Sequence, residues 1–384
     1  MPRVSFADYD YFPELTSSWS EKVAFINLDT DDKDKLLLTY IIGQVDASSS
    51  GLAPAIQSMA ECVEDRYFIL DISKHLAPSP YEPAGGLPDA RAREKFQRET
   101  LTKEQYDAAI NELLNHANGF AAWRNFVEQW DKAIPILQFT KPQLQARSIL
   151  RQAAKFAADE RSFAIRITRT DAADLYPIIS NIFAVIDRPS DVLFILDMGQ
   201  ARSQMDDREA FVLDAITEIS SLVGERDRSR LKFLCTGGSF PKSVPNSLNE
   251  RSIHEREIWD NLVEGNNVKY GDYGSMQRLA PTTTFRPADF RAAVTLPMHT
   301  SWLCWRSANA NDVTEWRAGA TAIAAHEYFD TMPECWGKEL IRRGANGDTQ
   351  NIESNKHWIA ARINMHIKRQ IDYSEELLSL DAGL

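Results

Sequence analysis

Cysteine is scarce in this chain of 384 residues, and long hydrophobic runs are absent. The four cysteines (Cys62, Cys235, Cys304 and Cys335) are far apart and form no Cys-x-x-Cys or Cys/His group. This spacing argues against a disulfide framework or a structural zinc site. No apolar run approaches the roughly 18–20 residues of a membrane span, and the N-terminus lacks the apolar core of a secretory signal. We therefore expect a cytoplasmic protein with reduced thiols and no membrane partner.

An excess of positive charge is also missing, because the formal net charge is −12. Nucleic acids and anionic membranes are bound mainly through lysine and arginine, so the composition argues against a broad nucleic-acid surface. Neither GxGxxG nor GxxxxGK[ST] follows a predicted strand, and HExxH, GxSxG and calcium-loop motifs are absent. The sequence therefore assigns no cofactor and no metal.

Eight apolar, β-branched segments alternate with helical patterns along the first 275 or so residues. These candidate strands begin at Tyr11, Leu36, Arg66, Ala133, Ser162, Asp191, Leu231 and Asn267. Strands that alternate with helices pair in parallel, and eight of them predict a TIM-type (β/α)8 barrel. An open doubly wound parallel sheet is the alternative. We favour the barrel because no nucleotide-binding fingerprint supports the open sheet.

The chain divides, by prediction, into a barrel over residues 1–278 and an extension over residues 279–384 packed on it. An irregular insertion with several prolines interrupts the barrel around residues 74–120. In the extension, Arg291–Leu296 and Ser301–Arg306 are expected to form two strands, arranged as a hairpin, followed by helices. We expect too few strands there for an independent sheet.

Two predicted strands end in unusual loops, GGSFP at 237–241 and GDYG at 271–274. Together with YFPEL, FAIRIT, DVLFILDMG, WLCWR and the late KHWIAARINMHI segment, these motifs resemble the phage-associated "beta family protein" over essentially the whole chain. The resemblance implies a barrel-type α/β fold in bacteria and phages, often near mobile or antiviral genes, and implies no settled reaction. The proline-rich insertion departs from the family, as does AAVTLP, where members often carry an Arg-Tyr pair.

In a barrel, the C-terminal ends of the strands converge on one mouth, where chemistry is placed. We expect three aspartates there as acid/base candidates: Asp71, Asp197 and Asp272. The candidate ligand-binding residues at this end are Glu14, Arg166, Gly238, Ser239 and Tyr273. Paired carboxylates working as general acid and base have the same sequence pattern as a buried ion-pair network around Arg166, so both readings stay open.

The late helix adds Lys356, beside Arg362, as a candidate phosphate ligand. His357 and His366 lie nine residues apart on it, about 180° from one another, so they cannot share a metal ion. We expect each to serve packing or to lie on the surface.

Two functions from different classes fit these observations. In the first, the protein is a component of antiphage defence that recognises a phage factor or partner protein through the polar mouth. In the second, it is a barrel hydrolase or lyase that acts on a small anionic, phosphate-bearing substrate. Asp71, Asp197 and Asp272 would then supply acid/base groups, and Arg166 would hold the anion.

Overall fold

A computed structural model describes most of the chain. The described residues are 3–43, 46, 51–73, 82, 86–87, 89–201, 203, 205–241, 244–263, 267–276, 291–310, 312–348, 350, 352 and 354–381, with side chains as far as residue 376. The strands in these residues are β1 Tyr11–Leu15, β2 Thr39–Ile42, β3 Phe68–Ile72, β4 Ala133–Pro135, β5 Phe163–Thr168, β6 Val192–Gln200, β7 Lys232–Gly238, β8 Ser247–Ser252, β9 Val268–Asp272, β10 Ala293–Pro297 and β11 Ser301–Arg306.

Helices follow most of the strands. They are α1 Trp19–Ile26, α2 Thr30–Lys35, α3 Ala53–Val63, α4 Ala90–Leu113, α5 Ala121–Val127, α6 Pro142–Ala158, α7 Ala172–Phe183, α8 Met205–Ser221, α9 Glu225–Arg228, α10 His254–Val263, α11 Glu315–Ala324, α12 Tyr328–Thr331, α13 Trp336–Ala345 and α14 Asn355–Asp381. Local chemistry explains several of the starts. The Ser18 hydroxyl accepts from the backbone N–H of Glu21 at the start of α1, and Pro142 occupies the first turn of α6.

Eight strands form one parallel sheet in the order β4-β3-β2-β1-β9-β7-β6-β5. Its two outer strands approach each other through a parallel bridge between Ile136 and Ala164. Just beyond it, the backbone N–H of Leu137 donates to the carbonyl oxygen of Ala164 at 2.8 Å. The sheet is thus a nearly closed barrel. The predicted TIM-type barrel is confirmed with all eight predicted strands in it, and the open doubly wound sheet is wrong.

The lumen of the barrel is packed rather than hollow. Its inward-facing side chains are apolar and at most 2% exposed; they are Phe12, Leu37, Ile69, Ile134, Ile136, Ala164, Leu193, Ile195 and Leu234. A short 3₁₀ helix, Phe6–Asp8, closes the end at which the strands begin, with Phe6 in the same cluster. The larger core lies outside the strands, between the sheet and its helices. This leaves the C-terminal end of the lumen as the place for inward polar groups.

A second, three-stranded antiparallel sheet has the order β10-β11-β8. The predicted hairpin is confirmed as β10 and β11. The described part of residues 279–384 supplies only these two strands, and the third, β8, comes from residues 247–252, where no strand was predicted; it pairs with β11 along its whole length. The β8 sequence, SLNERS, is mostly polar and is exposed at every position but one, so it lacks the alternating apolar pattern by which a strand is recognised.

The last helix, α14, ties this second sheet to the barrel. The side-chain amide of Asn364 donates to the carbonyl oxygens of Ala24 and Asn27 at 2.9 and 3.1 Å. The Ser20 hydroxyl donates to the carbonyl oxygen of Lys356 at 2.9 Å.

The predicted boundary near residue 278 and most of the proline-rich segment 74–88 lie outside the described residues. Over the described part of the chain, no helix is long and apolar enough to cross a membrane.

Gly271 of β9 tests the packing of the lumen. A Cβ at this position would lie 2.6 Å from the carbonyl oxygen of Phe12 and 3.0 Å from a methyl carbon of Leu234. We expect Gly271→Ala to lower the free energy of unfolding by about 1–3 kcal/mol, the usual cost of overpacking. Urea unfolding measures this.

The matched control is Gly224→Ala, since a Cβ at Gly224 meets nothing within 4 Å. We expect it to change stability by at most about 0.5 kcal/mol. Equal stability of the two variants would contradict the packed lumen.

Candidate functional site at the barrel mouth

An arginine bound by three carboxylates occupies the C-terminal end of the lumen. Arg166 of β5 donates from Nε to Asp71 Oδ2 at 2.8 Å. Its Nη1 donates to Glu14 Oε1 and to Asp197 Oδ2, each at 2.7 Å. The side chains of all four residues are at most 13% exposed. We call these four residues the Arg166 cluster.

The alternation of side chains along a β-strand explains why the four side chains of the Arg166 cluster meet inside the barrel. Each member stands two residues beyond a lumen-filling apolar residue, so its side chain points to the same face. The pairs are Phe12 and Glu14, Ile69 and Asp71, Ala164 and Arg166, and Ile195 and Asp197. The polar layer is therefore the last layer of the barrel interior, directly above its apolar filling.

The cluster carries more negative than positive groups, with three carboxylates around one guanidinium. Burial by itself lowers the pKa of Arg166, but the charges of Glu14, Asp71 and Asp197 raise it well above its ordinary value. Arg166 therefore remains a cation, and two negative charges are in excess when all three carboxylates are ionised.

Hydrogen bonds from neighbouring strands hold the carboxylates. The Tyr273 hydroxyl donates to Asp197 Oδ1, and the side-chain amide of Gln138 donates to Asp71 Oδ1 at 3.1 Å. Burial, followed by the charge of Asp197, keeps the pKa of Tyr273 well above its ordinary value, so it acts as a donor. A Cβ at Gly238 would lie 2.6 Å from the Tyr273 ring. Gly238 therefore serves the site by leaving room for that ring.

Three buried polar atoms at this end of the barrel have no hydrogen-bond partner in the described part of the chain. They are Arg166 Nη2, Gln138 Oε1 and Thr39 Oγ1. Most buried polar atoms in native proteins are paired, so such groups call for an explanation. The Arg166 cluster is well ordered but incompletely satisfied.

Asp272 does not join this cluster, and the expectation that it lines the mouth with Asp71 and Asp197 is wrong. Its side chain points outward and is fully buried. Tyr11 OH, Tyr270 OH and the backbone N–H of Gly274 donate to it at 2.6, 2.9 and 2.7 Å, and His366 Nε2 lies 2.8 Å away. On β9 the residue that faces the lumen is Gly271. Because neighbouring residues of a strand point to opposite faces, Asp272 points away from the lumen.

The pairing of Asp272 with His366 was not predicted. Burial by itself raises the pKa of Asp272, but His366 and the hydrogen bonds hold it below its ordinary value. The available signal was weak: a histidine between Met365 and Ile367, in the buried stretch of a helix. Sequence alone does not indicate which strand end that helix covers.

Ser239 and Lys356 also lie apart from the Arg166 cluster. The Ser239 hydroxyl donates to the Glu255 carboxylate and accepts from the backbone N–H of His254 at 3.0 Å, so it caps α10. Lys356 is exposed, with its Nζ 4.4 Å above the Trp19 ring. Neither residue contacts Arg166. Of the predicted site residues, Glu14, Asp71, Arg166, Asp197, Gly238 and Tyr273 are brought together.

The family model described as Beta protein matches residues 11–372 of this chain. The chain belongs to the Beta protein family. This family member is also 25% identical over 381 residues to "Protein beta" of Enterobacteria phage P4, an alignment that covers 98% of this chain and 96% of the phage protein. The resemblance drawn from the sequence motifs is thereby confirmed, and the protein is phage-related.

Its described residues contain no group of three or more His, Cys, Asp or Glu arranged to hold a metal ion.

Removing Arg166 tests the electrostatics of the mouth in this Beta protein family member. Arg166→Met leaves three buried carboxylates without their cation, and we expect a loss of about 3–5 kcal/mol in the free energy of unfolding. The unpaired carboxylates then bind protons more tightly in the folded chain than in the unfolded chain. Stability is therefore retained at low pH and lost as pH rises, so the deficit is larger at pH 8 than at pH 5.

Urea unfolding at these two pH values gives the measurement. Arg169→Met is the control, since Arg169 is exposed and lies three residues further along the chain. If Arg166→Met is as stable as Arg169→Met, the three ion pairs of Arg166 contribute nothing to the free energy of unfolding.

Glu255 provides a pH test of the Asp272 region. Burial raises the pKa of Glu255 from 4.5 to about 7, and the charge of Asp272 acts in the same direction. A raised folded-state pKa contributes stability that is fully present below 4.5 and is lost as pH rises through about 7. Relative to Glu255→Gln, we expect the native chain to lose on the order of 1–3 kcal/mol between pH 5 and pH 8.

Thermal or urea unfolding across this range measures the difference. Glu218→Gln, at an exposed position, is expected to follow the native pH profile. A parallel profile for Glu255→Gln would mean that Glu255 titrates normally.

Proposed function

We propose that this Beta protein family member is a component of bacterial antiphage defence that recognises a phage factor or partner protein through the barrel mouth. The observation that carries the proposal is the incomplete hydrogen bonding of the Arg166 cluster and its neighbours. The relation to "Protein beta" of Enterobacteria phage P4 supports a phage-related setting.

A polar network that served only to close the barrel would be more stable with every buried polar atom hydrogen-bonded, because each unpaired buried polar atom costs about 1–3 kcal/mol. Within the described residues, Arg166 Nη2 lacks an acceptor, and Gln138 Oε1 lacks a donor. A polar group from a partner that offers both would complete the network. The mouth is thus suited to receive one polar side chain rather than a broad surface.

The charge balance sets the class of group that is received. With three carboxylates around Arg166, the local field disfavours an anion, and a neutral group that both donates and accepts, such as an amide side chain, fits both unpaired atoms. This counts against Arg166 as the holder of a phosphate-bearing substrate, because its charge is already committed to the carboxylates. A partner of basic character also suits a chain whose net charge is −12.

A barrel enzyme is the second candidate, and the position of Asp71 and Asp197 favours it. Both lie at the C-terminal ends of barrel strands, where TIM-barrel enzymes hold their catalytic groups. Asp272, in its outward environment, would play no part in such chemistry. A hydrolase or lyase would turn over a substrate in the native chain and lose that activity in Asp71→Asn.

Asp197→Asn is the decisive variant for the defence hypothesis, because Asp197 is the most exposed member of the cluster at 13%. Asparagine keeps the shape and still accepts from Tyr273, so we expect the melting temperature to fall by only a few degrees. We expect protection against a panel of phages, measured as plating efficiency on expressing bacteria, to fall by at least about tenfold, or roughly 1.4 kcal/mol of recognition.

Asp214→Asn, at an exposed position on α8, is the control and should protect like the native chain. Full protection by Asp197→Asn at an unchanged melting temperature would exclude the mouth as the recognition site. If the native chain protects against no phage in the panel, the role in defence is wrong.

A further inference from the structure

A second arginine near the mouth has an unusual set of partners. Arg362 of α14 is partly exposed, and its guanidinium carbon lies 3.8 Å above the centre of the Phe240 ring. Its Nε donates to Ser275 Oγ at 3.3 Å, and its Nη2 lies 3.2 Å from Met276 Sδ. Arg362 is therefore placed where the GGSFP loop, the segment after GDYG and the last helix meet.

No carboxylate pairs with Arg362 in the described part of the chain. A guanidinium has five N–H donors, whereas a hydroxyl oxygen and a thioether sulfur are weak acceptors for a full positive charge. Burial lowers the pKa of Arg362 to about 10, and the opposing charges of Cys304 and Glu21 do not offset this effect. Arg166, by contrast, is bound by three carboxylates.

A second cation lies close by. Arg251 on β8 pairs in register with Trp302 of β11, whose ring is 5.2 Å from the Phe240 ring. Burial raises the pKa of Cys304, and the charges of both Arg362 and Arg251 act against this rise. Arg251 forms no ion pair in the described residues. Two arginines without an ion pair in the described residues therefore act on the same thiol, in a chain of net charge −12.

We propose that Arg362, with the Ser275 hydroxyl, forms a subsite for an oxyanion, either a phosphate or a carboxylate group. The flat face of the guanidinium lies on Phe240, Nε and Nη2 contact Ser275 and Met276, and Nη1, which has no partner in the described part of the chain, is left to donate to an anionic oxygen. Because Ser275 Oγ accepts from Arg362, its hydroxyl hydrogen is available to an additional acceptor. We call this place the Arg362 subsite.

The subsite is separate from the Arg166 cluster but linked to it through one short segment. Tyr273 contacts Asp197 in the mouth, and Ser275, two residues later, contacts Arg362. The inference does not depend on the proposed function, because it rests on contacts that the Arg166 cluster does not share. A ligand that reached both places would carry a donor group at one end and an oxyanion at the other.

Inorganic phosphate is the probe, applied to the full chain in thermal unfolding and calorimetric titration against sodium chloride of equal ionic strength. We expect phosphate to raise the melting temperature more than chloride does, and Arg362→Gln to weaken phosphate binding by at least about tenfold. Arg226→Gln, at an exposed position on α9, should bind phosphate like the native chain.

Acetate in a parallel titration distinguishes the two sources of the oxyanion. A response to acetate equal to that to phosphate supports a carboxylate ligand, and a response to phosphate alone supports a phosphate ligand. No response of the native chain beyond that to chloride, or an unchanged response in Arg362→Gln, overturns the proposal. If Arg362→Gln does not fold, Arg362→Lys is tested instead, because lysine keeps the positive charge but lacks the planar set of guanidinium N–H donors. Native-like phosphate affinity in Arg362→Lys also overturns the proposal.

Discussion

The ion pairs of Arg166 are the constraint on which the mouth of this barrel depends. Four strands that are far apart in the chain each contribute one charged side chain to the same layer. Buried charges are tolerated when they are paired and hydrogen-bonded, and each carboxylate here has its arginine contact. The cation in the centre therefore allows three acidic side chains to stand together above an apolar lumen.

The phase of each strand decides which polar residues belong to this layer. Glu14 and Asp71 follow inward apolar residues at a spacing of two, so they enter the lumen. Asp272 is one residue out of phase, behind the inward Gly271, and it faces α14, where it meets His366. Two clusters of different chemistry thus arise from strand ends that look alike in the sequence: an acidic network inside the barrel and an aspartate–histidine pair outside it.

The regions around Arg166 and Arg362 differ in their charge balance. At the mouth, carboxylates exceed cations, whereas Arg362 forms no ion pair within the described residues. The segment Tyr273–Ser275 contacts both, and α14 together with the three-stranded sheet builds the outer wall. The GGSFP loop, the segment after GDYG and the last helix meet at Arg362, through its contacts with Phe240, Ser275 and Met276.

The sequence by itself determined the barrel, because alternating strand and helix patterns restrict the chain to parallel pairing and eight strands are enough for closure. It also predicted that Glu14, Asp71, Arg166 and Asp197 meet at the mouth, since each is a charge at the end of an apolar strand, but the same reasoning placed Asp272 there as well. What only the tertiary structure decided was the direction of Asp272, its pairing with His366 and the recruitment of the polar strand β8. These depend on strand phase and on contacts between segments many residues apart, and neither leaves a periodic signal in the sequence.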